Sequence, residues 1–361
     1  MTTQRLIVDP DHLETAAAQQ ALDEAARILR EGGTVALPTE TVYGLGANAL
    51  DIGAVSKIFL AKERPGWDPV IVHVADEEML RTVTEGMPEA ARRLMAAFWP
   101  GPLTLLLPRS PLVPDSVTAG RPLVGVRMPA HRVMLEVIRR AGVPIAAPSA
   151  NRFGHVSPTR ADHVLEDLDG RIDAVVDAGP TAFGVESTVL DPGLSPMIVY
   201  RPGAVTIEQI RDVAGAAELY TERRQDEGEP DGSRQGLPSP GVGLRHYAPR
   251  ARLILVEDPN ELTGRVERAV AEPNIGRVGV MWPEGLSGQV DPAGTGGGRV
   301  EIFNWGRWDR PEELAQGLFA GLRALDAAGC STILCPLPPE EGIGRAIRDR
   351  LRKAAKTESG S

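Results

Sequence analysis

The chain has 361 residues, of which 42% are hydrophobic and 24% are charged, a composition typical of globular proteins. Its length exceeds what one hydrophobic core usually organises, so we expect two domains. The formal net charge of −10 argues against a protein that coats nucleic acid through bulk positive charge. The chain lacks an apolar run of roughly 18 residues and a secretion signal at its start, so we expect a cytoplasmic protein without membrane contact.

The first 214 residues alternate between helical and strand patterns. Apolar residues at helical spacing predict a helix over residues 12–31, and a buried strand (Thr34–Leu37) and a second helix (Ile52–Lys62) follow. Further strands are predicted in DPVIVHVAD, LTLLLP, LVGVRMP, VPIAAPSA, AVVDAG, STVLD and MIVYRPG, and helices in PEAARRLMAAFW, HRVMLEVIRRAG and ADHVLEDLDG. This pattern predicts an α/β domain with a mixed sheet, because the last strands follow one another closely.

The pattern changes after residue 214. Residues 215–250 are first charged and then rich in Pro and Gly, which predicts a linker. Strands and helices alternate again over residues 251–361, which predicts a small doubly wound α/β domain. Cys330 and Cys335 fall in one of its apolar segments, CSTILC, and indicate a buried strand rather than a metal site or disulfide. The stretch GTGGGR precedes a strand and is predicted to be a loop, not a phosphate site.

The segment LPTETVYGLG, from Leu37 to Gly46, leaves two interpretations open. Pro38 ends the preceding strand because it cannot donate to a β-ladder, so the segment is either a hairpin turn or a loop that holds a ligand. It matches neither GxxxxGK[ST] nor GxGxxG, so any nucleotide bound there is held in another way.

Three cationic side chains are candidates for binding anions. Lys62 and Arg64 end a predicted helix, where they either interact with the helix dipole, worth about 0.3–1 kcal/mol, or bind a polyphosphate. Arg127 lies inside an apolar strand, where an unpaired cation would cost several kcal/mol. It therefore needs an anionic partner, either an internal Asp or Glu or a substrate carboxylate.

Eight segments in order resemble the L-threonylcarbamoyladenylate synthases, in the long form with a YrdC-like domain and a C-terminal extension. They are PTETVYGLG, KER with the histidine of VIVH, FWPGPLT, VGVRMPAH, APSAN with SPT, GVEST, YRPG and SPGVGLRHYAP. The resemblance covers nearly the whole chain. It implies a YrdC-like mixed twisted sheet in residues 1–214, a linker folding over the active site in 215–250, and a Rossmann-like domain in 251–361.

The resemblance also implies an activity and its partners. Such an enzyme joins L-threonine, bicarbonate or CO2, and ATP into threonylcarbamoyl-AMP with release of pyrophosphate, and Mg2+ arrives with the nucleotide. A separate transferase complex then modifies the adenosine beside the anticodon of tRNA. A locally basic concave face would also allow weak binding of tRNA, although the acidic composition argues against a dedicated RNA-binding module. A carbamoyl transferase for metal-centre maturation is disfavoured because zinc-finger cysteines are absent from the sequence.

Carried over motif by motif, the resemblance implies two sets of binding residues. The set implied for L-threonine is Thr41, His73, Arg127, Ala147 and Ser187. The set implied for ATP is Lys62, Arg64, Asp68, Leu123, Ser149, Ser157, Arg201 and Tyr247. No metal ligand and no catalytic acid or base is expected, since positioning and charge neutralisation supply the rate, with Lys62 and Arg64 on the phosphates. Gly44 and Gly46 are expected to let the backbone approach a substrate closely.

Two positions depart from the family pattern. Asp68 stands where Asn is common, and a carboxylate near phosphates would repel them unless a cation bridges it. Phe153 stands where a small hydroxyl residue is usual.

Overall fold

The computed structural model describes residues 2–221, 247–272, 275–286 and 298–356, which form two β-sheets. The strands of the first sheet are β1 (Gln4–Ile7), β2 (Val35–Leu37), β3 (Gly44–Asn48), β4 (Val72–His73), β5 (Leu103–Pro108), β6 (Leu123–Arg127), β7 (Ile145–Ala146), β8 (Ala174–Asp177), β9 (Thr188–Asp191), β10 (Met197–Arg201) and β11 (Ala217–Leu219). The helices of this half are α1 (Ala16–Arg30), α2 (Ile52–Lys62), α3 (Glu77–Val83), α4 (Glu89–Phe98), α5 (Asp115–Thr118), α6 (Arg132–Ala141), α7 (Ala161–Leu168) and α8 (Ile207–Ala214).

The first sheet is mixed, as predicted, with the order β1-β8-β2-β3-β7-β4-β6-β5-β9-β10-β11 within the described ranges. Parallel pairs such as β1 with β8 and β5 with β9 alternate with antiparallel pairs such as β2 with β3 and β5 with β6. Helices α1 and α6 pack on one face, whereas α2, α4, α7 and α8 contribute buried residues to the other. Both faces are therefore covered, which explains why the central strands consist mostly of apolar residues.

Local signals set the helix boundaries. The side chain of Thr15 accepts a hydrogen bond from the Ala18 N–H at the start of α1, and Gly32 follows its end with a φ of +76°. The side chain of Asp51 caps α2 by accepting from the N–H groups of Gly53 and Ala54. Both helices agree with the sequence prediction.

The second sheet contains β12 (Arg252–Val256), β13 (Arg277–Glu284), β14 (Val300–Arg307) and β15 (Cys330–Pro336), all parallel, in the order β12-β15-β13-β14. Helix α9 (Leu262–Ala271), after a 3₁₀ turn at Pro259–Glu261, covers one face, and α10 (Pro311–Ala327) and α11 (Gly344–Ala355) cover the other. This is the predicted doubly wound arrangement. Cys330 and Cys335 are buried free thiols in β15, as predicted.

One apolar cluster joins the two sheets. Val42, Val156 and Val185 from the first half pack with residues of α10, α11 and β15. The C-terminal helices therefore share a core with the loops that follow β2 and precede β9.

Two predicted loops fall largely outside the described residues: most of the linker, at 222–246, and most of GTGGGR. Strand β11 lies within the predicted linker and pairs in parallel with β10. None of the helices that the structure describes is long and apolar enough to cross a membrane.

Candidate active site

A cavity of about 50 Å³ lies where several strand ends of the first sheet meet. Its lining comes from the loop after β2, the segment around β4, the ends of β6, β7 and β10, the loop before β9, and the end of the linker. The lining residues are Thr39, Thr41, Val42, Gly44, Arg64, Val70, Ile71, His73, Arg127, Ala147, Pro148, Ser149, Glu186, Ser187, Arg201 and Tyr247. Ligand sites in α/β proteins commonly form at such strand ends.

The segment LPTETVYGLG is both a hairpin connection and a wall of this cavity. Strands β2 and β3 pair antiparallel, with Leu37 opposite Gly44. The Thr39 hydroxyl stabilises the connection, since it accepts from the Val42 N–H at 3.2 Å and donates to the Val42 carbonyl at 2.7 Å. Gly44 lines the cavity, but Gly46 packs within the sheet. A Cβ at Gly46 would lie 2.9 Å from Ile145 Cγ2. The expectation for Gly46 is therefore wrong, because a neighbouring strand occupies that space.

All the residues implied for threonine line the cavity, with Arg127 among them. Its Nη2 lies 2.5 Å from Glu40 Oε1, its Nη1 donates to Thr41 Oγ1 at 3.0 Å, and its Nε donates to the Gly101 carbonyl at 3.1 Å. An internal carboxylate thus partners Arg127, which confirms one of the two interpretations of its burial. A guanidinium has more N–H donors than these three contacts use, so binding of a substrate carboxylate stays a prediction.

His73 is a neutral, buried member of this set. Burial, reinforced by the nearby positive charge of Arg127, lowers the pKa of His73 to about 3. Its Nδ1 has no hydrogen-bond partner within the part of the chain that the structure describes. A neutral imidazole with a pKa this low is a poor proton donor or acceptor near pH 7, but it can accept a hydrogen bond from a ligand.

Ser187 and Arg201 are held together at the start of β9 and the end of β10. Arg201 donates from Nε to the Ser187 carbonyl at 3.0 Å and from Nη2 to Ser187 Oγ at 3.1 Å. Ser187 Oγ also shares a hydrogen bond of 2.8 Å with Thr104 Oγ1 on β5. The hydroxyl is therefore fixed from two sides, and a ligand would meet it in a defined orientation.

The residues implied for ATP divide into two groups. Arg64, Ser149, Arg201 and Tyr247 line the cavity, whereas Lys62, Asp68, Leu123 and Ser157 are not among the lining residues. Lys62 Nζ donates to the carbonyls of Ser149 and Asn151, each at 2.5 Å, and so fixes the loop after β7. Leu123 packs in a small apolar cluster with Ile71, which does line the cavity. Direct contacts of these four with ATP stay predictions.

The two departures from the family pattern meet at Arg64. Arg64 Nη2 forms an ion pair of 2.9 Å with Asp68 Oδ2, and Nη2 also donates to the Pro69 carbonyl at 2.7 Å. The Arg64 Cζ lies 5.9 Å from the centroid of the Phe153 ring, which contacts Trp67 edge-on at 6.1 Å. Asp68 is thus bridged by a cation, and Phe153 packs against that cation.

Glu186 is a lining residue that the sequence analysis did not select. It is buried, and its Oε1 accepts a hydrogen bond of 2.5 Å from Ser157 Oγ. Burial acts to raise the pKa of Glu186, but the charges of Arg350 and Arg201 and the hydrogen bond from Ser157 lower it below its usual value. The residue lies in GVEST, so the motif itself was the available signal.

The described residues contain no group of three or more His, Cys, Asp or Glu side chains that could hold a metal ion. Glu186 is the lining residue with a carboxylate, and its oxygens already contact Ser157 and Arg350. The donor set therefore does not fit a protein-bound Mg2+, whose preferred ligands are carboxylate oxygens and water.

Two family models together match most of the chain. The one named for Sua5, YciO and YrdC, described as telomere recombination, matches residues 27–203. The one described as threonylcarbamoyl-AMP synthase, C-terminal domain, matches residues 205–356.

Curated and solved relatives match over nearly the full length. A threonylcarbamoyl-AMP synthase from Bacillus subtilis is 44% identical over 361 residues, covering 98% of each chain. One from Pyrococcus abyssi is 44% identical over 334 residues, covering 92% of this chain and 93% of its own. The crystal structure of P. abyssi Sua5 complexed with L-threonine has a TM-score of 0.83 at 41% identity and covers 98% of both chains.

Proposed function

The chain belongs to the threonylcarbamoyl-AMP synthase family of nucleotidyltransferases, and we propose that it makes L-threonylcarbamoyl-AMP from L-threonine, bicarbonate and ATP. Pyrophosphate is the second product. The adenylate is then consumed by a transferase complex that modifies tRNA beside the anticodon.

One observation carries this proposal. Every residue implied for threonine lines a single cavity, together with Arg64, Ser149, Arg201 and Tyr247 of the set implied for ATP. These residues come from distant parts of the chain, between positions 41 and 247, so their convergence is a result of the fold. It supports binding of an amino acid and a nucleotide side by side, as the chemistry requires.

In the proposed complex, Arg127 and Thr41 bind the threonine carboxylate. Neutral His73 accepts a hydrogen bond from an N–H or O–H group of the same substrate. Support comes from the hydrogen bond that Arg127 donates to Thr41, which holds the two side chains together, and from the unpartnered Nδ1 of His73 within the described residues. The threonine amine, held in this way, adds to CO2 and releases a proton to solvent, which gives a carbamate; from bicarbonate the same carbamate forms with loss of water.

The carbamate oxygen then attacks the α-phosphorus of ATP, and the bond to pyrophosphate breaks. Arg64 and Arg201, which both line the cavity, are the cations proposed to meet the phosphates, where negative charge increases. Mg2+ supplies further charge neutralisation when it arrives with ATP. Positioning of the reactants accounts for most of the rate, and effective molarity contributes up to about 7–11 kcal/mol.

The cavity volume of about 50 Å³ is smaller than the roughly 300–1,000 Å³ typical of small-molecule sites. Residues at its edge must therefore move to admit ATP. Tyr247 is one of them, since it lies near the end of the predicted linker, is buried and lines the cavity. This supports the proposal that the linker closes over bound substrates.

The decisive experiment measures pyrophosphate release by the purified protein with ATP, Mg2+ and bicarbonate, with and without L-threonine. Release is expected only with threonine, and serine and glycine at the same concentration serve as matched controls. Folded protein that binds ATP but shows no threonine-dependent release would contradict the proposed function.

A further inference from the structure

Arg350 of the C-terminal helix α11 reaches the candidate site from the other sheet. Its side chain is fully buried, with 0% of its surface exposed. Nε donates to Glu186 Oε2 at 2.8 Å, and Nη1 donates to the Pro202 carbonyl at 2.8 Å. Glu186 lines the cavity and Pro202 directly follows Arg201, so one side chain contacts two cavity-forming loops.

The contacts of Arg350 continue to two residues implied for ATP. Glu186 accepts on its other oxygen from Ser157 Oγ at 2.5 Å, so the carboxylate bridges Arg350 and Ser157. The Arg350 Cζ lies 5.4 Å from the centroid of the Tyr247 ring. Tyr247 also stacks on Phe319 of α10, with ring centroids 5.6 Å apart.

The backbone before Glu186 packs closely against helix α10. Gly184, two residues before Glu186, has a φ of +69°, and a Cβ there would lie 2.4 Å from the Ala315 carbonyl oxygen of α10. Helix α10 therefore contacts the same loop that contains Glu186, the hydrogen-bond partner of Arg350. The C-terminal domain contacts the loop at both points.

The threonine side of the cavity has separate anchors. Arg127 is held by Glu40 and Thr41, and the Ser187 hydroxyl by Thr104 and Arg201. Loss of Arg350 would leave these contacts in place and remove its own contacts with Glu186, Pro202, Tyr247 and the adjacent Asp349.

We propose that Arg350 is a positioning residue for nucleotide binding, through which the C-terminal domain orients Glu186, Ser157 and Tyr247 around ATP. The proposal rests on the proposed synthase function. It gives the C-terminal domain a defined part in the reaction: the catalytic sheet supplies the residues that meet threonine, and the C-terminal helices fix the loops that meet ATP.

The test compares Arg350→Met with wild-type protein in threonine-dependent pyrophosphate release, with KM measured separately for ATP and threonine. We expect kcat/KM for ATP to fall about 10- to 100-fold, because a misplacement of reacting groups by about 1 Å can cost up to about 100-fold. The KM for threonine should stay within about twofold. An ATP KM that is unchanged in folded Arg350→Met would overturn the proposal.

Arg345→Met is the matched control. Arg345 lies on the same helix and also crosses to the first domain, where its Nη2 is 3.4 Å from Glu208 Oε1, but Glu208 does not line the cavity. This variant should leave both KM values unchanged. An equal rise in the ATP KM of Arg345→Met would show that any weakening of this interface acts like the loss of Arg350, which would overturn the specific role.

A double variant separates positioning from stability. Arg350→Met alone leaves the Glu186 carboxylate buried without its cation, whereas Glu186→Gln with Arg350→Met removes both charges. The double variant should melt at a higher temperature than Arg350→Met and still show the raised ATP KM. Recovery of both the melting temperature and the wild-type KM for ATP in the double variant would overturn the proposal. Failure of the wild-type protein to release pyrophosphate would instead reject the proposed synthase function.

Discussion

Glu40 and Arg127 form a buried ion pair in which the two side chains are only 7% and 4% exposed and the nearest atoms, Oε1 and Nη2, are 2.5 Å apart. Thr41, next to Glu40, accepts a hydrogen bond from the same guanidinium. The hairpin loop after β2 and the end of β6 are therefore joined by one charged contact. This contact aligns Arg127 before any ligand enters the cavity.

Arg127→Ala is expected to impair threonine use more than ATP use. The variant removes the cation proposed to bind the threonine carboxylate, while Arg64 and Arg201, the lining cations proposed to bind ATP, remain. It should also lower the free energy of unfolding by about 3–5 kcal/mol, because Glu40 is left buried without its partner. Steady-state kinetics with each substrate varied in turn, together with urea unfolding, measure both effects.

A double variant tests whether the threonine effect is only a consequence of lost stability. Glu40→Gln combined with Arg127→Met removes both charges and should restore much of the free energy of unfolding. The KM for threonine should stay high, since no cation replaces Arg127. Equal losses for threonine and ATP in this stable variant would contradict the assignment of Arg127 to threonine.

Asp68→Asn distinguishes two physical roles of this carboxylate. If Asp68 acts by holding Arg64 in its ion pair of 2.9 Å, the variant should raise the KM for ATP and leave that for threonine unchanged. If the carboxylate instead repels the phosphates, the KM for ATP should fall. We expect the rise, because the Asp68 side chain is fully buried against Arg64 and does not line the cavity. Phe153→Leu, which keeps apolar bulk beside Arg64, is the matched control for packing.

Sequence reasoning worked where a single pattern dominated. Helices α1 and α2 carry capping residues and apolar positions at helical spacing, and β5 is a mostly apolar run. Strand β1 was missed because only one of its four residues, Leu6, is buried, so it presents no apolar run. Helix α8 was also missed, although the capping box of Thr206 and Gln209 was a readable signal.

The motifs allowed only part of the candidate site to be predicted. Motifs identified which residues gather near the cavity, but not which of them face it: Lys62 binds backbone carbonyls, and Ser157 binds Glu186. Arg350 carried no signal at all, since its partner Glu186 is 164 positions away and belongs to another domain. Contacts of that kind depend on how the two sheets pack, which periodicity and spacing do not encode.

Cys330 and Cys335 are expected to resist thiol reagents in the native state. Burial raises the pKa of the Cys330 thiol to about 11 and raises that of Cys335 well above its ordinary value, so little reactive thiolate forms near pH 7.5. Labelling with a chromogenic disulfide should be slow in buffer and fast in denaturant. Cys330→Ser and Cys335→Ala, measured separately, assign each thiol. Rapid labelling of either residue under native conditions, without unfolding, would contradict the buried β15 strand.

The free energy of unfolding should decrease as the pH falls below about 6.5, and His73 should contribute to the slope. The pKa of His73 is about 3 in the fold because of its burial and the charge of Arg127, but about 6.5 in the unfolded chain. As the pH falls through this interval, the unfolded state takes up a proton that the folded state does not, at a cost of about 1.4 kcal/mol per pH unit. Urea unfolding at pH 7, 6 and 5 measures the slope, and His73→Gln should reduce it.

His12→Gln is the control with the opposite sign, because a hydrogen bond to Asp9 raises the pKa of the exposed His12, whose contribution to stability is lost as the pH rises. A slope that is unchanged by His73→Gln would mean that this imidazole takes up its proton over the same pH range in the fold as in the unfolded chain, which would contradict the lowered pKa on which the proposed hydrogen-bond acceptor for threonine depends.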